Sequence, residues 1–233
     1  MIEIKTISTG SKGNAYIVTD GTTPLLLECG ITYRDIQRAF NFKMSQVAGC
    51  LVSHEHGDHI KSIKDILKAG IDVYMSAGTK DAIGIEHHRI QTVQSKKQFR
   101  VGTWTILPFD VQHDVSEPYG FLLANQQGDK LLFATDTYYI KYRFTGLTHL
   151  MVECNYDIGI LNENIDSGMV PAVMKKRLMK SHISLDNVKE FLRSNDLSKV
   201  QEIWLLHLSD NNSDEAMFKR EIAELTGKLI FVP

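Results

Sequence analysis

Cysteine is scarce in this chain: 233 residues hold only Cys29, Cys50 and Cys154. The number is odd and no pair has CxxC spacing. Each cysteine ends or interrupts an apolar strand-like run, which reads as a buried free thiol in a reducing, cytoplasmic compartment. Long hydrophobic runs are also missing. None approaches the roughly 20 residues that span a bilayer, so no membrane partner is expected. The opening residues MIEIKTIST alternate in polarity and lack the apolar core of a signal peptide. Neither sign of charge dominates: 26 Lys and Arg face 28 Asp and Glu, a net charge of -2. A generally basic, histone-like surface is excluded, and any contact with nucleic acid must be local. What remains is ordinary globular composition, 43% hydrophobic and 23% charged, which argues against disorder.

Strand-like runs come first, at Ile2–Ile7, Ala15–Thr19 and Pro24–Cys29, with Gly-rich turns between them. Helical spacing follows over Thr32–Phe42. Val47–Ser53 reads as a buried strand, Ile60–Ala69 as a helix stopped by Gly70, and Ile71–Met75 as a strand. The middle is strand-rich, at Ile90–Val93, Trp104–Val111, Tyr119–Ala124, Lys130–Thr135 and His149–Cys154. Helical patterns occupy Met169–Met179 and Leu185–Ser194. The end reads strand (Glu202–Leu208), helix (Asp214–Leu225), strand (Leu229–Val232). There is no repeat, no low-complexity tract and no linker. One α/β domain over 1–233, with helices outside packed sheets, is the expectation.

The stretch LVSHEHGDHI, Leu51 to Ile60, spends three of nine histidines and an aspartate within six residues. A packed core has no use for four such side chains in one turn. Where a strand ends and a helix begins, His54 and His56 can converge on one point. Asp58 and His59 sit at the helix start, where the dipole favours a carboxylate. Imidazole and carboxylate ligands without a thiolate suit zinc or manganese. Asp58 and His59 cannot easily reach the ion that His54 and His56 share, so two adjacent metal ions are inferred.

HxHxDH resembles the signature of the metallo-β-lactamase superfamily. That resemblance implies a four-layer αββα sandwich with a two-metal site at one edge. It also implies a later His, Asp and His at strand ends. His113 in PFDVQHDVSEPYGF, Asp136 in LLFATDTYY and His207 in EIWLLHLSDNN stand in that order. Carried over, His54, His56 and His113 hold one metal, Asp58, His59 and His207 the other, and Asp136 bridges them. Asp58 is carried over as a catalytic residue too. His87 and His88 lie in a polar stretch that matches no motif and read as surface. His149 reads as structural.

The segment from Ser181 to Ser209 places His182-Ile183-Ser184 at a helix start, then a strand ending at His207. This is similar to the phosphodiesterase and nuclease branches, such as tRNase Z. There a His in this position protonates the leaving group, oriented by a Glu that matches Glu153 in LMVECNYD. A carboxylate beside an imidazole keeps a proton available near neutral pH. The structural alternative for His182 is a helix-capping histidine.

More specifically, the chain resembles the YycJ/WalJ-type family, metal-dependent hydrolases with DNA exonuclease activity, over nearly its whole length. The shared motifs are STGSKGN (Ser8–Asn14), EPYGF after His113, ATDT around Asp136, ECNYD from Glu153 and LSDNN after His207. Two departures stand out. Glu28 occupies a position where that family usually has Asp, a partner of the metal ligands. Tyr138 and Tyr139 follow the bridging Asp where Gly is frequent, either as packed aromatics or as a rim on which a base stacks. The run Lys175-Lys176-Arg177, with Lys180, is either a solvated helix face or a phosphate contact beside the site.

The resemblance implies a two-metal phosphodiesterase or nuclease acting on DNA through a hydroxide bridging the metals. The rival enzyme reading is hydrolysis of a small cyclic phosphate, thioester or lactone on the same metals. A β-lactamase is disfavoured without a signal peptide, and the diiron branch has Glu where this chain has His56. A non-enzymatic platform is disfavoured because all seven ligands are kept.

Overall fold

Three successive leucines, Leu25–Leu27, are fully buried and form a strand. An uninterrupted apolar run is what a strand covered on both faces requires. The computed structural model describes residues 1–233. They form two compact units, residues 1–110 with 115–129, and residues 111–114 with 130–233.

The first unit holds a six-stranded sheet. Its strands are β1 (Glu3–Ser8), β2 (Ala15–Thr19), β3 (Leu25–Leu27), β4 (Gly49–Leu51), β5 (Val73–Met75) and β6 (Ile90–Thr92), in that spatial order. The first three pair antiparallel and β3 to β6 pair parallel. Parallel neighbours need crossovers. These are α1 (Tyr33–Ala39), then α2 (Gly57–Ile60) with α3 (Ile63–Lys68), then α4 (Ala77–Ile83). Ile36, Ile63, Ile66 and Leu67 from the helices are buried in one cluster with Leu26, Cys50 and Val73 from the sheet and Val52 just after β4. Each such side chain contributes about 1.5–3 kcal/mol by leaving water.

The same unit carries an antiparallel ladder of β7 (Phe99–Val101), β8 (Trp104–Asp110) and β9 (Tyr119–Ala124). Trp104 is wholly buried, and its indole N–H donates to the Thr23 carbonyl at 2.8 Å.

The second unit is a parallel ladder of β10 (Lys130–Ala134), β11 (His149–Glu153), β12 (Glu202–Leu206) and β13 (Leu229–Phe231). Its helices are α5 (Ile158–Asp166), α6 (Ala172–Ser181), α7 (Leu185–Arg193) and α8 (Glu215–Thr226). α7 buries Leu185, Val188, Phe191 and Leu192, the helical stripe that docks it. No helix is long and apolar enough to cross a membrane.

The expected strands fall where the sequence pattern puts them, within a residue or three at each end. The expected Ile60–Ala69 helix breaks into α2 and α3. The reason is local: Ser62 N–H donates to the Cys29 carbonyl at 2.9 Å, and Ser62 Oγ to the Ile31 carbonyl. Those bonds draw the chain out of the helix for one turn. The helix expected at Met169 starts only at Ala172, after Pro171. Two helices and the short strand β7 escaped the pattern. α4 is short and buries only Thr79, and α5 buries only Leu161, with Ile158 and Ile165 on the same face partly exposed, so the apolar signal of each is weak. The three cysteines are free and buried, as their setting implied.

Candidate active site

In the first unit, the turn after β4 carries His54, His56, Asp58 and His59. The loop after β1 holds it in place. Asn14 N–H donates to the Asp58 carbonyl at 2.8 Å, Cys29 N–H to the His59 carbonyl at 2.8 Å, and Gly30 N–H to the Asn14 carbonyl at 2.9 Å. Only glycine fits at position 30: a Cβ there would stand 1.6 Å from the Asp58 carbonyl oxygen. The STGSKGN motif meets this contact at its end. Its last residue, Asn14, is wholly buried and threads together the loop, the turn and Gly30. The Asn14 amide nitrogen also lies 3.2 Å from His59 Nε2 and 3.5 Å from Asp58 Oδ2.

His54 is buried, and its Nδ1 lies 2.8 Å from Ser53 Oγ. Its Nε2 is 3.1 Å from His56 Nδ1. Neighbouring ligands on one tetrahedral zinc, with bonds of about 2.0–2.1 Å, stand about 3.3 Å apart. The pair therefore has the spacing of two ligands to one ion.

Glu28 keeps its contacts despite the longer side chain. Its Oε1 accepts from Ser53 N–H at 3.0 Å and its Oε2 lies 3.5 Å from His59 Nδ1. Complete burial pushes its carboxyl above the ordinary range, against the pull of His59.

In the second unit, the donor atoms of Asp136, Glu153, His182 and His207 all lie within 4.8 Å of one another. Parallel strands bring them together: Asp136 follows β10, Glu153 ends β11 and His207 follows β12, while His182 ends α6. His207 Nδ1 is 3.0 Å from Asp136 Oδ1 and 3.1 Å from Glu153 Oε1. His182 Nδ1 is 2.5 Å from Glu153 Oε1. The other Glu153 oxygen accepts from the backbone N–H of Thr137 at 2.8 Å and of Ile183 at 3.3 Å. That carboxylate is thus fixed from several sides.

His113 Nδ1 donates to the Ser181 carbonyl at 2.7 Å. The bond sets the tautomer and leaves Nε2, 3.9 Å from Asp136 Oδ2, as the ring atom that could act as a metal ligand. Asn155 donates to the His207 carbonyl at 2.7 Å, and Thr135 Oγ1 to Asp136 Oδ1 at 2.8 Å. Nothing in residue type alone singles out Asn14, Ser181 or Asn155, because each acts through backbone or amide hydrogen bonds. Asn14 and Asn155 do lie within the motifs STGSKGN and ECNYD.

The electrostatics follow from this crowding. Burial lowers the His113 imidazole. For His182 burial pulls the same way, but the Glu153 carboxylate outweighs it and the net shift is upward. Burial would raise Glu153, yet His182 and His207 hold it below the ordinary carboxylate range. Burial would also lower His207, but Asp136 and Glu153 push it up to about 10. Two carboxylates this close stay ionised only with positive charge beside them. In this structure the imidazoles supply it; a divalent ion fits the same donor set.

The backbone is strained at the same places. Glu28, Asp136 and His207 have φ of 61°, 39° and 55°, a left-handed region that costs non-glycine residues of order 1–3 kcal/mol.

His87 and His88 stack on each other at 4.6 Å, away from any acidic cluster. His149 is buried at the start of β11 and bonds Thr148, a structural role. The Lys175–Arg177 run lies on α6, whose residues are exposed nearly all round.

A family model for the beta-lactamase superfamily domain matches residues 23–207. The chain belongs to the metallo-β-lactamase superfamily. Exodeoxyribonuclease YycJ of Bacillus anthracis is 27% identical to this metallo-β-lactamase-fold hydrolase over 92% of the chain and 85% of the relative. Among solved structures, YhfI from Bacillus subtilis has a TM-score of 0.73 at 15% identity, covering 100% of this chain and 96% of that one. The short form of human tRNase Z has a TM-score of 0.62 at 13% identity, covering 100% and 96%. The αββα sandwich of the metallo-β-lactamase fold, expected from HxHxDH, is borne out by these likenesses, as is the hydrolase class.

Proposed function

We propose that the chain is a two-metal phosphodiesterase that shortens DNA from an end. The observation that carries this reading is the Glu153–His182 pair, a proton donor built beside Asp136 and His207. His54, His56 and His113 would hold one divalent ion, Asp58, His59 and His207 a second, and Asp136 both. Zinc or manganese suits these nitrogen and carboxylate donors. Such ions would supply Lewis-acid polarisation of the phosphate and make water a nucleophile at neutral pH. The names of the exodeoxyribonuclease relatives support DNA as substrate.

The chain's own residues do the rest. Glu153 keeps the proton on His182 Nδ1, and the imidazolium releases its Nε2 proton to the departing 3′ or 5′ oxygen. Thr137 and Ile183, donating to Glu153, hold that carboxylate facing the imidazole. Asp58 would help to hold the other ion and would offer a carboxylate oxygen to accept a proton or hydrogen bond from the attacking water. The three buried thiols suit a reducing, cytoplasmic setting.

The test is incubation with end-labelled single- and double-stranded DNA, with Mn or Zn supplied, beside Asp136→Ala. Metal-dependent shortening that the variant lacks supports the reading. A protein loaded with two metals that leaves both DNAs intact overturns it, and directs attention to small phosphodiesters, thioesters and lactones.

A further inference from the structure

Beside this centre, in the second unit, lies a cavity of about 120 Å³ lined by Tyr139, Lys141, Tyr142, Arg143, Asn187 and Glu190 among others. A single water needs only about 10–15 Å³ on that measure, so the space admits a flat ring. We propose that it binds an unpaired nucleobase of the strand being hydrolysed. The inference rests on the nuclease reading and names which part of the substrate the protein grips.

Both walls of the cavity start at the site. One is the loop that leaves Asp136. Thr137 donates its N–H to Glu153 and its hydroxyl to the Tyr139 carbonyl at 2.9 Å, and Tyr138 N–H donates to the Gln112 carbonyl at 2.9 Å. The other wall is α7, which begins three residues after His182. Asn187, Glu190, Phe191 and Ser194 share the face of α7 that lines the cavity, at i, i+3, i+4 and i+7. The Asn187 amide reaches the Tyr138 carbonyl at 3.4 Å and ties the two walls together.

The loop is held at its far end too. Phe144 is buried against Phe191, ring centroids 6.4 Å apart, and its N–H donates to Asn195 Oδ1 at 2.7 Å. Ile140 is buried between the two clamps. With both ends fixed, Tyr139 is nonetheless 49% exposed and Tyr138 37% exposed. Packed aromatics are therefore the wrong reading of this pair. A rigid, half-exposed ring at the mouth of a polar cavity is a stacking platform.

The remaining lining matches a nucleotide part by part. Lys141 lies 5.2 Å over the Tyr142 ring, and Arg143 also lines the cavity, so cations that can meet a phosphate accompany the aromatics. Asn187 both donates and accepts, and Glu190 accepts, as the polar edge of a base requires. A base within a duplex has that edge paired and its faces stacked, so only an unpaired base enters.

The test compares affinities of the full chain, metal supplied, for short dye-labelled oligodeoxynucleotides with a cleavage-resistant phosphorothioate backbone. The readout is the ratio of single-stranded to blunt-duplex affinity. Stacking on one aromatic is worth about tenfold in affinity, so Tyr139→Ala should lower the ratio about tenfold. Tyr139→Phe, which keeps the ring, should hold it near the original. An unchanged ratio in Tyr139→Ala, or an equal loss in Tyr139→Phe, overturns the inference while DNA shortening by the unaltered protein still stands. An unaltered protein that neither binds nor shortens DNA removes the nuclease reading and this inference with it.

Discussion

Glu153 Oε1 stands 2.5 Å from His182 Nδ1, and the bond joins the end of β11 to the end of α6. Neither side chain would behave ordinarily without the other. The carboxylate raises the proton affinity of the imidazole, and the imidazole lowers that of the buried carboxylate.

His182→Ala should therefore keep its metals and lose about 10²–10⁴-fold in turnover on a poor leaving group. Metal content by elemental analysis and kcat on DNA are the two readouts. Loss of metal in this variant would remove the proton-donor role. Glu153→Gln should shift the basic limb of the pH–rate profile to lower pH, because the neutral amide no longer raises His182.

With His207 as a metal ligand, as proposed above, proton and metal would compete there. Its folded value is raised to about 10, so its ion pairs stabilise the metal-free protein fully below the ordinary value of 6.5 and are lost as pH rises through about 10. Glu153 is lowered, so its contribution is present above its ordinary 4.5 and lost as pH falls through its lower folded value. With chelator present, Tm should peak between those two ordinary values and fall toward pH 10. Metal loading at neutral pH should release protons, measured by titration calorimetry in buffers of different ionisation enthalpy.

Gly30→Ala should cost about 3 kcal/mol or more, since the added methyl meets the Asp58 backbone and not a flexible side-chain end. Chemical denaturation gives the loss. Metal content should fall with it, because the Asn14 and Cys29 N–H groups next to Gly30 hold the Asp58 and His59 carbonyls.

Replacing Lys175, Lys176 and Arg177 by Gln should weaken binding to single-stranded DNA. It should also flatten the salt dependence by about 0.7 in log–log slope for each phosphate no longer neutralised. An unchanged slope would make the run an ordinary solvated face, and Lys175 merely the partner of Asn162 that it also is.

Much of this molecule is legible in its sequence, and for a physical reason. Runs such as Leu25–Leu27 and Leu131–Ala134 are buried on both faces, and continuous apolarity is a signal that one sequence carries. HxHxDH is equally plain, since so many ligands in one turn have no packing use. Asn14 and Asn155 lie within recognisable motifs, but their bonds, from the Asn14 N–H to the Asp58 carbonyl and from the Asn155 side-chain amide to the His207 carbonyl, end on backbone atoms that no residue pattern encodes. The break between α2 and α3 comes from Ser62 reaching Cys29 and Ile31 in a distant loop. α4 offers no apolar stripe, and that of α5 is three residues, Ile158, Leu161 and Ile165, in a short helix, so periodicity gave a weak signal there.

Six non-glycine residues adopt positive φ, and Glu28, Asp136 and His207 are three of them. Each would sit more comfortably as glycine or asparagine. Chemistry and backbone comfort thus pull against each other at the same three positions. Asp136→Gly should relax its local backbone while ending turnover, so selection for thermal robustness alone would erode this centre. A descendant released from its reaction would be expected to lose these three side chains early, with the sheets beneath them intact.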